Sequence, residues 1–130
     1  MNRNHEFALQ WLHKAQNDLI TAVRIIQYPD GPTDTACFHA QQTIEKALKG
    51  LLTYHGIPFP RIHHLVRLMD LSLPYCNQLD TFRESCALIS NYAIEIRYPG
   101  DCVDPERKDT EEAILIAQKI LGLIENIIKK

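Results

Sequence analysis

The sequence predicts an all-α fold, an up-and-down four-helix bundle with an additional short helix. Three observations carry this. Apolar residues recur at steps of three and four along four long stretches, prolines and glycines punctuate the chain between them, and no segment shows sustained strand alternation. With 130 residues, 45% of them apolar and 23% charged, the chain has the size and composition of one ordinary domain with a full core. No repeat and no long linker divides residues 1–130.

The first helix spans about Asn4 to Gln27, where Ala8, Trp11, Leu12, Ala15, Leu19, Ala22, Val23 and Ile26 keep one face dry. Lys14, Asn17, Asp18 and Arg24 fall mostly away from it. Tyr28-Pro29-Asp30-Gly31-Pro32 stops this helix, and Thr33 or Asp34 can cap the next, which runs to about His55. Gly56-Ile57-Pro58-Phe59-Pro60 ends the second helix. A shorter one follows from about His63 to Leu73 and breaks at Pro74. The fourth spans about Asn77 to Ile96, with Leu79, Phe82, Cys86, Ile89, Ala93 and Ile96 inward, and Tyr98-Pro99-Gly100 closes it. Asp104-Pro105 reads as a cap with proline at the first helical position. The last helix carries Ala113, Ile116, Ala117, Ile120, Leu121, Ile124, Ile127 and Ile128 as a wide apolar stripe. Its early acids and its terminal Lys129 and Lys130 suit the helix dipole.

Composition excludes several function classes. A formal charge of −2 argues against a strongly electrostatic nucleic-acid binder, while leaving room for a local basic patch. The longest apolar run, Ala113 to Ala117, is far short of a membrane span. The N-terminus shows no apolar signal core, so a cytoplasmic location with all four cysteines reduced is expected. None of Cys37, Cys76, Cys86 and Cys102 sits in a Cys-x-x-Cys pair, and Cys37 and Cys86 fall at apolar-periodic core positions.

On the second helix His39, Gln42, Lys46 and Lys49 share about one quadrant, opposite Ala36, Ala40, Ile44, Ala47, Leu48 and Leu51. Gln41 and Glu45 stand at the edge of this strip. It reads either as a solvated face or as a surface for a ligand or a second subunit. Between Glu45 and Asp70 there is no acid, while Lys46, Lys49, Arg61 and Arg67 are basic and His55, His63 and His64 lie among them. A helix-loop-helix folded on itself would then present a positive surface to a phosphate. Glu-x-x-His pairs, Gly-rich phosphate loops and nucleophile elbows are all missing, so no cofactor and no metal is expected.

The stretch Cys37-Phe38-His39-Ala40-Gln41-Gln42-Thr43-Ile44-Glu45-Lys46-Ala47-Leu48-Lys49 resembles the second-helix signature of the HEPN family, the higher eukaryotes and prokaryotes nucleotide-binding domain. Pro60-Arg61-Ile62-His63-His64-Leu65 resembles that family's following loop and short helix, and Arg97-Tyr98-Pro99-Gly100 its motif ending the fourth helix. Trp11 to Ala22, with Ala15, Asp18 and Leu19, is similar to its opening helix. The resemblance covers nearly the whole chain, in order, and implies a single HEPN-like helical domain that pairs as a homodimer. It also implies a partner, since family members are often encoded beside a minimal nucleotidyltransferase and some such pairs behave as toxin and antitoxin. Others are metal-independent RNases with an Arg-x(4-6)-His motif. Here the positions after Arg97 where that histidine should stand hold Cys102, Val103 and Asp104, none of which replaces an imidazole that titrates near neutrality.

These observations predict a HEPN-type module that binds a nucleotide or RNA, a nucleotidyltransferase partner, or both. The site implied by the resemblance comprises His39, Gln42, Glu45, Lys46, Lys49, His63, Arg97 and Tyr98. In it the Arg97 fork and the two lysines meet phosphate, Tyr98 stacks on a base, and His39 and His63 donate or accept hydrogen bonds. Glu45 can instead orient Lys46 or Arg97 through an ion pair. Two alternatives remain: an RNase that uses Arg97 with His39 or His63, and a structural homodimer whose polar strip is the subunit interface.

Overall fold

The computed structural model describes residues 2–61, 64–93 and 104–130, with 91–93 given as backbone alone. They form five α-helices: α1 (Arg3–Ile26), α2 (Thr33–Tyr54), α3 (Leu65–Ser72), α4 (Arg83–Ala93) and α5 (Arg107–Ile128). Two 3-10 turns, Leu73–Tyr75 and Asn77–Phe82, lead from α3 to α4, and no strand occurs among the described residues. The predicted all-helical architecture is therefore the observed one, and side chains from all five helices meet in one continuous core.

α2 is the central member. It packs against α1, α3, α4 and α5. Thirteen of its 22 residues are buried, so it has no broad solvated face and the polar residues along its middle need partners within the protein.

Small residues set the spacing of α1 and α2. Ala8, Ala15 and Ala22 repeat every second turn of α1 and are fully buried, as are Ala36, Ala40 and Ala47 of α2. Near the end of α2, a methyl at Gly50 would stand 3.2 Å from Cβ of Trp11 and 3.5 Å from the Ala8 carbonyl oxygen. The helices run antiparallel because the turn between them is short. At Gly31 that turn passes so close to α1 that an added Cβ would lie only 2.0 Å from the Ile25 carbonyl oxygen.

α5 closes the bundle antiparallel to α1. The Arg107 guanidinium donates to the Ile26 carbonyl at the end of α1 and to the Tyr28 carbonyl, which also accepts from the Gly31 amide. Gln16, midway along α1, donates to Glu125 Oε2 at 2.8 Å, and His5 Nε2 meets the Ile128 carbonyl at 3.1 Å at the far end.

Most predicted inward positions are buried, including Leu12, Ile44, Leu48, Leu51, Leu79, Cys86, Ile120 and Ile124. Cys37, Cys76 and Cys86 are free and buried, while Cys102 lies outside the described residues. Burial, joined by the nearby charge of Asp109, pushes the Cys37 thiol up to about 11, and burial alone pushes Cys86 to about 12. Such thiols are inert packing atoms.

Several helix ends differ from the sequence reading. Pro32, not Thr33 or Asp34, occupies the N-cap of α2, and the Asp34 carboxylate turns back to its neighbour Thr35 at 2.8 Å. α5 begins at Arg107 with an extended Glu106 as N-cap, not at Asp104-Pro105. Its first turn is set by tertiary bonds, since the Thr110 hydroxyl reaches the Glu106 and Thr33 carbonyls while Arg107 holds the end of α1. The stretch expected to be helical from Asn77 opens as a 3-10 turn, and the α-helix starts only at Arg83, whose fork pairs with Asp70 of α3 at 2.8 and 3.1 Å. α3 starts at Leu65, and His64 caps it by accepting from the Arg67 amide at 3.2 Å. The predicted inward Ala93 side chain, Ile96 and the Tyr98-Pro99-Gly100 stop lie outside what the structure describes.

The close passage at Gly31 predicts that Gly31→Ala lowers stability by about 1–3 kcal/mol, the usual cost of forcing a methyl into filled space. Denaturant unfolding measures this, and an unchanged midpoint would mean that the turn has slack.

Candidate functional site

The polar strip of α2 divides into two clusters, one open to solvent and one sealed. The open cluster is built around Asp18 of α1. Two turns of α2 separate His39 from Lys46, so both project along one line of the helix. Asp18 reaches between them, with His39 Nδ1 at 2.8 Å from Oδ1 and Lys46 Nζ at 2.5 Å from Oδ2. The three side chains are 12%, 26% and 25% exposed for Asp18, His39 and Lys46, so a ligand can reach them without unfolding the helix pair. Gln42, one turn along from His39, is half-buried beside them.

The sealed cluster lies one turn further along. Lys49 Nζ donates to Glu45 Oε2 at 3.0 Å, an (i, i+4) pair whose side chains are 9% and 2% exposed. Trp11 and Phe59 roof the ammonium, their ring centroids 5.5 and 6.0 Å away, and meet each other edge to face. An ammonium over two aromatic faces keeps electrostatic stabilisation after losing water, so Lys49 is held by packing as well as by charge. Gln41, also on this helix, is buried with its Oε1 unpartnered.

Of the residues predicted from sequence, the structure thus brings together His39 and Lys46, with Gln42 beside them. It draws Lys49 and Glu45 away into the interior, as a structural pair roofed by rings. Glu45 meets Lys49, not Lys46, whose partner is Asp18. His63, Arg97 and Tyr98 lie outside the described residues.

Among the described residues the acid-free interval does not form a continuous positive surface. Its lysines are met by carboxylates, Lys46 by Asp18 and Lys49 by Glu45, while Asp70 pairs with Arg83 of α4. The Arg83 hydrogen bond, with Arg67 and His64 nearby, holds the Asp70 carboxyl below its usual range, and the same bond raises Arg83. Arg61 and Arg67 remain exposed. His55 stacks on Tyr75 at 4.4 Å, and burial lowers its tendency to protonate.

Asp18 is the site residue that the sequence reading missed. It was placed mostly away from the dry face, yet it stands two turns after Trp11 on the same line of α1. That shared line with an inward tryptophan was the available signal. An open groove of about 440 Å³ lies between the Asn77–Phe82 turn and α5, beside Gln78, Phe82, Gln118 and Lys119, and no predicted site residue lines it. Among the described residues no helix is long and apolar enough to cross a membrane.

The two clusters predict opposite outcomes for their lysines. Lys49→Met should cost about 3 kcal/mol or more, because it removes a partner from a buried charge. Lys46→Met should stay within about 1 kcal/mol, as expected for a partly exposed pair. Equal losses in thermal or urea unfolding would mean that the sealed and open clusters do not differ energetically.

Comparison with known proteins agrees with this architecture. The HEPN domain family model matches residues 8–127. A protein of Methanocaldococcus jannaschii named "Putative toxin MJ1304" is 24% identical, over 98% of this chain and 91% of its own. The crystal structure of ST0689, an archaeal HEPN homologue, superposes with a TM-score of 0.74 at 27% identity, over 98% of this chain and 99% of that one. That of TT1696 from Thermus thermophilus gives a TM-score of 0.76 at 32% identity, over 97% and 98% of the two chains.

Proposed function

The chain belongs to the HEPN domain family, and from that premise we propose that it is a binding module for a phosphate-bearing ligand, a nucleotide or RNA, working in a toxin-antitoxin-like pair. The observation that supports this reading most directly is the open cluster. On a chain with a formal charge of −2, it gathers a lysine and a histidine on one partly exposed patch between α1 and α2. Lys46 has three N–H donors and spends one on Asp18, which leaves two for phosphate oxygens. Gln42 adds an amide beside them. Lys49 has no part in contacting ligand, since its ammonium is sealed beneath Trp11 and Phe59.

The name of the archaeal relative supports the pairing with a second protein. We assign that role to a minimal nucleotidyltransferase and take the module itself to be a cytoplasmic, single-domain homodimer, as the family resemblance implies. His63, Arg97 and Tyr98 complete the proposed site by the same resemblance.

The test is a thermal-melting screen against ATP, other nucleotides and a short RNA. A ligand at 100 times its dissociation constant adds about 2.7 kcal/mol, which moves the midpoint of a domain this size by several degrees. The shift should vanish in Lys46→Ala. A shift that survives there places the ligand elsewhere, and no shift with any ligand leaves the protein partner as the sole function.

A second reading, RNA cleavage, draws support from the 2.8 Å contact of Asp18 with His39, because a carboxylate-oriented imidazole is suited to moving a proton. If the purified chain cuts RNA, His39→Ala should abolish the cut. Cleavage undiminished in that variant removes His39 from the chemistry.

A further inference from the structure

We infer that Asp18 fixes the hydrogen of His39 on Nδ1, so that Nε2 presents a bare lone pair to a hydroxyl of the ligand and selects ribose over deoxyribose. This rests on the phosphate-ligand reading of the same cluster and names the part of the ligand that reading leaves open.

The argument begins with donors and acceptors. An ionised carboxylate only accepts hydrogen bonds. Oδ2 of Asp18 accepts from Lys46, which has nothing but donors, and Oδ1 lies 2.8 Å from His39 Nδ1. The hydrogen of that second contact therefore belongs to the ring nitrogen. A neutral imidazole carries one ring hydrogen, so with Nδ1 protonated, Nε2 is an acceptor.

Where Nε2 stands gives this consequence. Among the described residues it has no hydrogen-bond partner, and it is not among the polar atoms sealed from solvent, as Gln41 Oε1 is. The ring is 26% exposed, edge-on to the exposed Phe38. A ligand atom facing Nε2 must bring a hydrogen, which an ester or phosphodiester oxygen does not have. One carboxylate's width away, Lys46 offers N–H donors that suit an anionic oxygen. A hydroxyl hydrogen beside an anionic oxygen is what a ribose 2'-hydroxyl and its neighbouring phosphate provide. Deoxyribose keeps the phosphate and loses the hydroxyl, so it satisfies Lys46 and leaves Nε2 unmet.

Asparagine at position 18 would reverse the pattern. Its one oxygen would go to Lys46, which can only donate, and its amide N–H would then face Nδ1. The ring hydrogen would move to Nε2, where it no longer accepts. Asp18 is in this sense a positioning residue: it acts on the ligand through His39.

The experiment uses the full chain labelled with ¹⁵N-histidine, the His39 signals identified among those of its six histidines by comparison with His39→Ala. Ring ¹⁵N shifts report which nitrogen carries the hydrogen, independently of any activity. Binding is measured in parallel with RNA and DNA oligonucleotides of one sequence. In the wild type the hydrogen should sit on Nδ1, and RNA should bind about tenfold more tightly than DNA, the worth of one well-formed hydrogen bond. Asp18→Asn should move the hydrogen to Nε2 and bring the ratio close to one. Lys46→Met should weaken both oligonucleotides alike while keeping the tautomer and the ratio. Should Asp18→Asn not fold, as judged by circular dichroism, His39→Ala must bring the ratio to one in its place.

A hydrogen on Nε2 in the wild type overturns the inference, as does equal binding of RNA and DNA, or an RNA preference that persists when Asp18 or His39 is replaced. Binding of neither oligonucleotide, with the hydrogen found on Nδ1, overturns RNA as the ligand and the hydroxyl contact together and upholds the tautomer assignment.

Discussion

The close approach of α1 to α2 is the constraint on which the rest of the molecule depends. Alanines repeat every second turn of α1, and α2 answers with alanines and with Gly50, whose missing Cβ leaves room for Trp11 and the Ala8 carbonyl. At that separation a side chain as short as aspartate spans from one helix to the other. A glutamate would overshoot, and a wider helix pair would leave His39 and Lys46 facing water. The packing of small residues is thus the direct cause of the polar geometry, and the Gly31 turn fixes the register in which it occurs. α5 then holds α1 at both ends, through Arg107 at one and His5 at the other.

The central position of α2 explains why its polar residues have such different fates. A helix that touches four neighbours cannot keep a broad solvated stripe, so its lysines are paired, one across the seam with α1 and one within the helix under a roof of rings. Lys49 is roofed by aromatic faces and paired with Glu45, whereas Lys46, one turn earlier, reaches the seam with α1 where solvent still enters. Two lysines in one sequence motif therefore do different work. One holds the structure of the helix's interior, and the other keeps donors available at its edge.

How much of this was legible in the sequence follows from the range of the forces involved. The helices were readable because apolar periodicity is a local pattern, and Leu12, Leu48, Cys86 and Ile120 are buried as their spacing indicates. Helix ends were less so. Thr33, Asp34, Asp104 and Pro105 have suitable cap chemistry, but Arg107 and Thr110 make tertiary bonds that decide where α5 begins. Of the candidate site, the nearness of His39, Gln42 and Lys46 was legible in the sequence and their arrangement was not. A single helix wheel shows that His39 and Lys46 share a line, yet it cannot show that an aspartate on another helix stands between them. Nor can it show that Lys49, about 60 degrees from Lys46 on the same wheel, passes beneath a tryptophan.

On the proposed reading of this surface as a ligand site, the shared aspartate also determines the kind of binding it would support. Asp18 and Lys46 cancel as charges, and the chain as a whole is slightly acidic, so an approaching anion feels little long-range attraction. Affinity must then come from short-range contacts that depend on direction, namely the remaining Lys46 donors, the Gln42 amide and the outer nitrogen of His39. Contacts of that kind discriminate between ligands more than they accelerate capture. A strongly basic patch would hold any polyanion, whereas the proposed neutralised cluster with one fixed acceptor would hold only a ligand that places a hydrogen and an anionic oxygen where these side chains stand. The internal carboxylate lowers the general attraction of the site and thereby raises the share of recognition carried by its geometry.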